Sequence, residues 1–212
     1  MRMPNALTIK VCGLRRRCDV ELCGALGVDM TGFIFHPSSP RAVCPQDVAS
    51  LPQTQGQRVG VFVRQTGREI QGIMDEAGLD VAQFHGGQGL EDAAMIGPQR
   101  VIRVVWPERY ATAEALQAHL DTWAAWCRYF LCDSGVAGGG HGRQLRGTLS
   151  LQQVAFPRPW LLAGGICATN VQKKVAQFQP DGIDMNSGVE TNPAEKNNEQ
   201  LTAAVQVVRG LE

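Results

Sequence analysis

Short β-branched or apolar runs alternate with helical patterns along the whole chain, and no other feature constrains the fold as tightly. Eight runs recur about every 25 residues: 8–12 (TIKVC), 30–35 (MTGFIF), 58–63 (RVGVFV), 80–84 (DVAQF), 100–105 (RVIRVV), 128–133 (RYFLCD), 159–163 (PWLLA) and 181–186 (DGIDMN). Helix-sized segments fall between them, at 19–26, 68–77, 113–126 and 169–178, with a last helix expected near 194–209. Asp19 supplies the acidic start expected near a helix N-terminus. Strict alternation implies parallel strands joined by right-handed crossovers. Eight such units in a chain this short close into a (β/α)8 TIM barrel more naturally than they spread. A doubly wound sheet is the alternative. In a barrel, functional residues belong at the C-terminal strand ends, with phosphate held after strands 7 and 8.

The 212 residues suit one domain spanning 1–212. Twenty basic and 20 acidic residues cancel, and the longest run of like charge is Arg15-Arg16-Arg17. That balance argues against nucleic acid as a partner, and the triplet reads as a solvated loop in preference to a phosphate contact. Seven cysteines, at 12, 18, 23, 44, 127, 132 and 167, are an odd number with no C-x-x-C pair and no zinc-ligand spacing. Reduced thiols in a cytoplasmic protein fit that pattern, and no bound metal is expected. No apolar stretch approaches 18 residues and no signal-peptide core is seen, so no membrane association is expected. Monomer and homodimer are both open.

The strand ends carry the candidate chemistry. Run 7 ends in Ala163-Gly164-Gly165, and run 8 in Asn186-Ser187-Gly188. Glycines there let backbone N–H groups converge on an anion beside a helix start; the plain alternative is a pair of turn glycines. Cys12 ends run 1 and is followed by Gly13, where a thiolate would face the barrel mouth as base or nucleophile. The other buried-type cysteines read as small core hydrophobes. Asp133 ends run 6 behind the apolar 129–132, a setting that raises a carboxyl pKa and keeps a proton on it. The glycine-rich stretch Gly138-Gly139-Gly140-His141-Gly142 reads as a lid or a backbone donor to ligand. Arg41 sits in a proline-stiffened loop after run 2, with a guanidinium suited to gripping a carboxylate. His85 follows run 4 and is balanced between ligand contact and scaffold. His36 and His119 read as structural.

The segments KVCGL (10–14), GFIFHPSSPRAV (32–43), VGVFV (59–63), QFHG (83–86), LCDS (131–134), LAGG (162–165) and SGVE (187–190) together resemble the phosphoribosylanthranilate isomerase family. The resemblance runs from residue 8 to about 190, in order and near the expected spacing. It implies that Cys12 is a general base and Asp133 a general acid. Arg41 would bind the anthranilate carboxylate, and Gly164, Gly165, Ser187 and Gly188 the ribose phosphate. The implied reaction is an Amadori rearrangement of a small phosphorylated substrate in tryptophan biosynthesis, needing no cofactor.

Three departures stand out. Cys167-Ala168-Thr169 stands where the family commonly has a proline. Asn186 replaces a serine. Pro193-Ala194-Glu195-Lys196-Asn197 replaces a Pro-Gly-x-Lys-Asp stretch, leaving the missing aspartate without explanation. An imidazole-pathway isomerase would place an aspartate where Cys12 stands, and a pentose-phosphate epimerase would need metal-binding His and Asp residues on strand ends. The reading from another class is a non-catalytic sugar-phosphate-binding barrel.

Overall fold

The computed structural model describes residues 6–133 and 151–211. Eight parallel strands, β1 (Thr8–Val11), β2 (Met30–Ile34), β3 (Gln57–Phe62), β4 (Val81–Phe84), β5 (Val101–Val105), β6 (Tyr129–Asp133), β7 (Trp160–Ala163) and β8 (Gly182–Met185), form a closed barrel in sequence order. β8 closes on β1 with Lys10 paired to Asp184 and Val11 to Met185. Helices α1 (Arg17–Ala25), α2 (Pro45–Ala49), α3 (Gly67–Ala77), α4 (Leu90–Ile96), α5 (Ala113–Trp123), α6 (Val171–Phe178) and α7 (Asn198–Arg209) connect or follow the strands. The TIM barrel expected from the alternation is the fold observed, and the open-sheet alternative is excluded by β1–β8 pairing.

Side chains alternate across each strand with a period of two, which separates two cores. One residue set, including Ile9, Val11, Phe33, Phe62 and Phe130, joins the apolar faces of the helices. The other set fills the barrel: Met30, Val59, Val81, Ile102, Val104, Leu131, Leu161 and Ala163. The helices end where local chemistry ends them. Thr66 and Glu69 form a capping box at the start of α3, and Gly78 closes it with a left-handed φ of 63°. Between them Ile70, Met74 and Ala77 turn one stripe onto the barrel.

The N-terminal end of the barrel is tied by a repeated device. Asp29, Asp80 and Asp181 each stand immediately before an even-numbered strand. Their carboxylates accept the backbone N–H of Ile9 (2.8 Å), Arg58 (2.7 Å) and Trp160 (3.0 Å) on the preceding odd strand. Each aspartate's own N–H donates to the carbonyl of that same residue.

Strand positions agree with the sequence within a residue or two. The last helix does not begin at 194. Residues 190–196 form an antiparallel hairpin, β9 (Glu190–Asn192) and β10 (Glu195–Lys196), and α7 starts at Asn198. Ala194 turns that hairpin at φ 71°, where the family's glycine would be unstrained. Asn197 caps α7 by accepting from the Gln200 N–H at 3.0 Å, which an aspartate at this position would also do. The arginine triplet is not simply a solvated loop either. Arg17 begins α1, and Arg16 bonds Asp19 in two places and the Lys196 carbonyl.

Candidate active site

Lys10 on strand β1 and Cys12, the residue that follows the strand, lie two positions apart on its inward face. The Lys10 ammonium, fully buried, lies 2.9 Å from the Asp184 carboxylate on β8, and its charge acts directly on the Cys12 sulfur. Gly32 on β2 makes the room. A Cβ there would meet Cys12 Sγ at 2.9 Å and Lys10 Nζ at 3.2 Å. The three groups therefore form one buried cluster at the upper end of the barrel interior. Burial pushes the Cys12 thiol up from its ordinary value, Lys10 and Lys196 pull it back, and Asp184 adds to the rise. The resting group at neutral pH is the thiol, with an ammonium beside it ready to hold a thiolate. Burial also works against the Lys10 ammonium, but Asp184 and Cys12 outweigh it and the lysine stays charged.

Asp133, the last residue of β6, is half-buried. Its charge is felt by Asp184, whose carboxyl is raised first by burial, and by Lys174 on α6. In barrel order β6 is three strands from β1 by way of β7 and β8. Asp133 and Cys12 thus belong to well-separated sectors of one rim, with Asp184 between them. The segment 134–150, including the glycine-rich stretch read as a lid, lies outside the described residues.

Arg41 is brought to Cys12's side of the mouth. Gly13, at φ 73°, packs so closely that a Cβ would meet Arg41 Cδ at 2.6 Å and Asn186 Oδ1 at 2.7 Å. Arg41 binds the Glu190 carboxylate through Nε and Nη2, and Lys196 binds Glu190 (2.8 Å) and the Asn186 side chain (3.0 Å). His85 is half-buried and meets Trp106 edge to face, with ring centroids 5.0 Å apart, and the Arg109 guanidinium lies over the Trp106 ring at 3.9 Å. Burial, then Lys10, pushes the His85 imidazolium down to about 4, so the ring is neutral at pH 7. Its buried Nδ1 has no hydrogen-bond partner among the described residues. His119 by contrast packs outside the barrel, between Tyr110 and Trp123.

The two glycine loops meet. Gly164 and Gly165 both take positive φ (102° and 62°), and a Cβ on Gly188 would strike the Ile166 carbonyl at 2.2 Å. Asn170 ties the first loop by donating to the Gly165 carbonyl (2.8 Å) and accepting from the Cys167 N–H (3.0 Å), at the place where a proline was expected. Ser187 begins a short 3-10 turn after β8. The Lys174 ammonium donates to the Gly164 carbonyl at 2.7 Å, adding a cation beside this loop.

Lys10, Asp184, Glu190, Lys196 and Trp106 were not singled out from the sequence. For the first two a signal existed: a charged residue at inward parity inside an apolar run, on each of two strands that close the barrel.

The family model for N-(5'-phosphoribosyl)anthranilate (PRA) isomerase matches residues 9–207. The N-(5'-phosphoribosyl)anthranilate isomerase of Desulfovibrio desulfuricans is 50% identical over 201 residues, covering 95% of each chain. That of Maridesulfovibrio salexigens is 42% identical over 203 residues, covering 96% of this chain and 98% of the relative. Among solved structures, phosphoribosyl anthranilate isomerase from Thermus thermophilus superposes with a TM-score of 0.80 at 31% identity, covering 97% of this chain and all of that one. With the barrel, the strand-end residues and these relatives in agreement, the chain belongs to the N-(5'-phosphoribosyl)anthranilate isomerase family.

Proposed function

We propose that this chain converts N-(5-phosphoribosyl)anthranilate to 1-(o-carboxyphenylamino)-1-deoxyribulose 5-phosphate in tryptophan biosynthesis, with Asp133 as general acid and Cys12 as general base. A barrel of the same fold, 24% identical, was solved in complex with the reduced form of that product. The observation that supports the assignment of roles is the Cys12–Lys10–Asp184 cluster, electrostatically linked to Asp133 across the same rim.

Protonated Asp133 gives its proton to the furanose ring oxygen. The C1–O bond breaks and the anilino nitrogen lone pair forms the C=N bond of an iminium. Cys12, having released its thiol proton to water, removes the C2 proton as thiolate, and that electron pair forms the C1=C2 bond of an enolamine while neutralising the nitrogen. Tautomerisation places the proton on C1 and the carbonyl at C2. Atoms and electrons balance without an external oxidant or reductant.

The thiolate is costly in a buried site, so its countercharges matter. Lys10 and Lys196 both oppose the effect of burial on Cys12, and the iminium adds a further positive charge when the base is needed. Arg41 at one end, and Gly164, Gly165, Ser187 and Gly188 at the other, hold the carboxylate and the phosphate so that the pentose lies between base and acid, with the Asn186 side chain on the Arg41 side, bonded to Lys196. Neutral His85 lines the mouth with Trp106 and can accept or donate one hydrogen bond to substrate.

Turnover of Cys12→Ser and Asp133→Asn, followed by the decay of anthranilate fluorescence, tests the roles. Each should fall roughly 10²–10⁴-fold while the affinity for the reduced product analogue is kept. Parent-like turnover in either variant removes that residue from the mechanism.

A further inference from the structure

We propose that Glu190 is a positioning residue for Arg41, and that Lys196 keeps the resulting cluster cationic toward an incoming carboxylate. The inference rests on the reading of Arg41 as the carboxylate grip.

Glu190 is the first residue of β9 and its side chain is only 3% exposed. Oε1 accepts from Arg41 Nε at 3.0 Å, and Oε2 accepts from Nε at 3.1 Å and from Nη2 at 2.5 Å. One edge of the guanidinium is thereby occupied in the bidentate geometry that fixes its plane. Among the described residues no group bonds Nη1, which leaves that corner of the fork for ligand.

A lone glutamate would fix Arg41 and also cancel its charge. Lys196, on β10 with a side chain 0% exposed, prevents this. Its ammonium donates to Glu190 Oε1 at 2.8 Å and to Asn186 at the end of β8. Arg41, Glu190 and Lys196 carry +1, −1 and +1, so the buried cluster keeps one net positive charge. The backbone N–H of Ala194, at the turn of the hairpin, also reaches Glu190 Oε1 at 3.3 Å. The strained turn thus serves to place both Glu190 and Lys196, which explains why a hairpin interrupts the chain between β8 and α7.

The test compares two ligands: reduced 1-(o-carboxyphenylamino)-1-deoxyribulose 5-phosphate and its phenylamino counterpart lacking the carboxylate. Binding is measured to the parent and to Arg41→Ala, Glu190→Ala, Glu190→Asp and Lys196→Met, with circular dichroism and thermal unfolding to establish folding. The inference predicts that Glu190→Ala and Lys196→Met lose roughly 10–100-fold in affinity for the carboxylate ligand and little for the other; in Glu190→Ala KM is raised more than kcat is lowered, whereas Lys196→Met also lowers kcat because Lys196 faces Cys12. Glu190→Asp keeps the charge but withdraws the carboxylate by one methylene, and it should show the same selective loss. If Arg41→Ala is selective and the folded Glu190 variants are not, the positioning role is overturned while the Arg41 reading stands. If Arg41→Ala weakens both ligands equally, the Arg41 reading itself fails. Should Glu190→Ala not fold, Glu190→Asp and Lys196→Met decide the matter by the same criterion.

Discussion

Lys10 and Asp184 face each other at 2.9 Å across β1 and β8, buried beneath the barrel mouth, where their charges act on the cysteine that follows the first strand. A buried ion pair is seldom worth its desolvation as a stabilising contact. Its presence is better explained by the thiol it serves. Replacing Lys10 by Met leaves Asp184 buried without a partner and should cost about 3–5 kcal/mol in urea unfolding. A Lys10→Met/Asp184→Leu double variant should recover much of that stability but not the turnover. Full activity in the double variant would show that the pair has no catalytic part.

The Cys12 thiol sits above its ordinary value because of burial. Its alkylation in the free enzyme should therefore be slow at pH 7 and should still be climbing above pH 9.0, the unperturbed value. The native state holds this proton where the unfolded chain has released it. The thiol's stabilising effect is therefore complete below the unfolded value and is lost as pH rises above it. Alkylation rates that level off near neutrality would contradict the direction of the shift.

His85 behaves oppositely. Its folded value, about 4, lies below the unperturbed 6.5, so the unfolded chain takes up a proton first as pH falls. The contribution is present above 6.5 and is lost between 6.5 and about 4, amounting to about 3 kcal/mol. Urea unfolding at pH 7 and pH 4.5 should differ less for His85→Gln than for the parent by an appreciable share of that amount. Equal pH sensitivity in the two proteins would show that His85 does not titrate this way.

Gly13 and Gly27 both take left-handed φ, 73° and 66°. Only Gly13 is crowded, by Arg41 and Asn186; a Cβ on Gly27 meets nothing within 4 Å. Gly27→Ala should cost about 1–2 kcal/mol from backbone strain alone. Gly13→Ala should cost more and should also raise KM, because Arg41 must move. The comparison is made by thermal unfolding and steady-state kinetics, and equal effects at the two sites would remove the crowding argument.

At the opposite end of the barrel, Asp80→Ala leaves the Arg58 N–H without its carboxylate acceptor. The expected loss is about 1–3 kcal/mol of stability with turnover per folded molecule unchanged. A selective fall in kcat would mean that the two barrel ends are coupled.

The strands were legible because buried parallel strands read as continuous apolar runs, and the mouth positions of Cys12, His85 and Asp133 because each closes or directly follows such a run, while Arg41 was marked by its proline-stiffened loop. The hairpin at 190–196 was not. Its turn uses Ala194 at positive φ instead of glycine, and Pro193-Ala194-Glu195 reads locally as the start of a helix. The Glu190–Lys196 pair could not be found without that hairpin. Lys10 and Asp184 were hidden differently: run membership marks a residue as strand, and only the closure of β8 on β1 shows that the two charges meet. The missing aspartate of the family's last motif needed the α7 cap to be seen before Asn197 could be recognised as its stand-in.

The central claim is that the sulfur of Cys12 takes a proton from substrate, and its most direct test is a labelling time course. The enzyme, with the exposed Cys18 and Cys44 and the half-buried Cys167 replaced by Ser, is alkylated at raised pH and assayed by anthranilate-fluorescence decay. Turnover should vanish in proportion to the label on Cys12, with the reduced product analogue slowing both. A preparation fully labelled at Cys12 that still turns over at the parent rate would contradict the account.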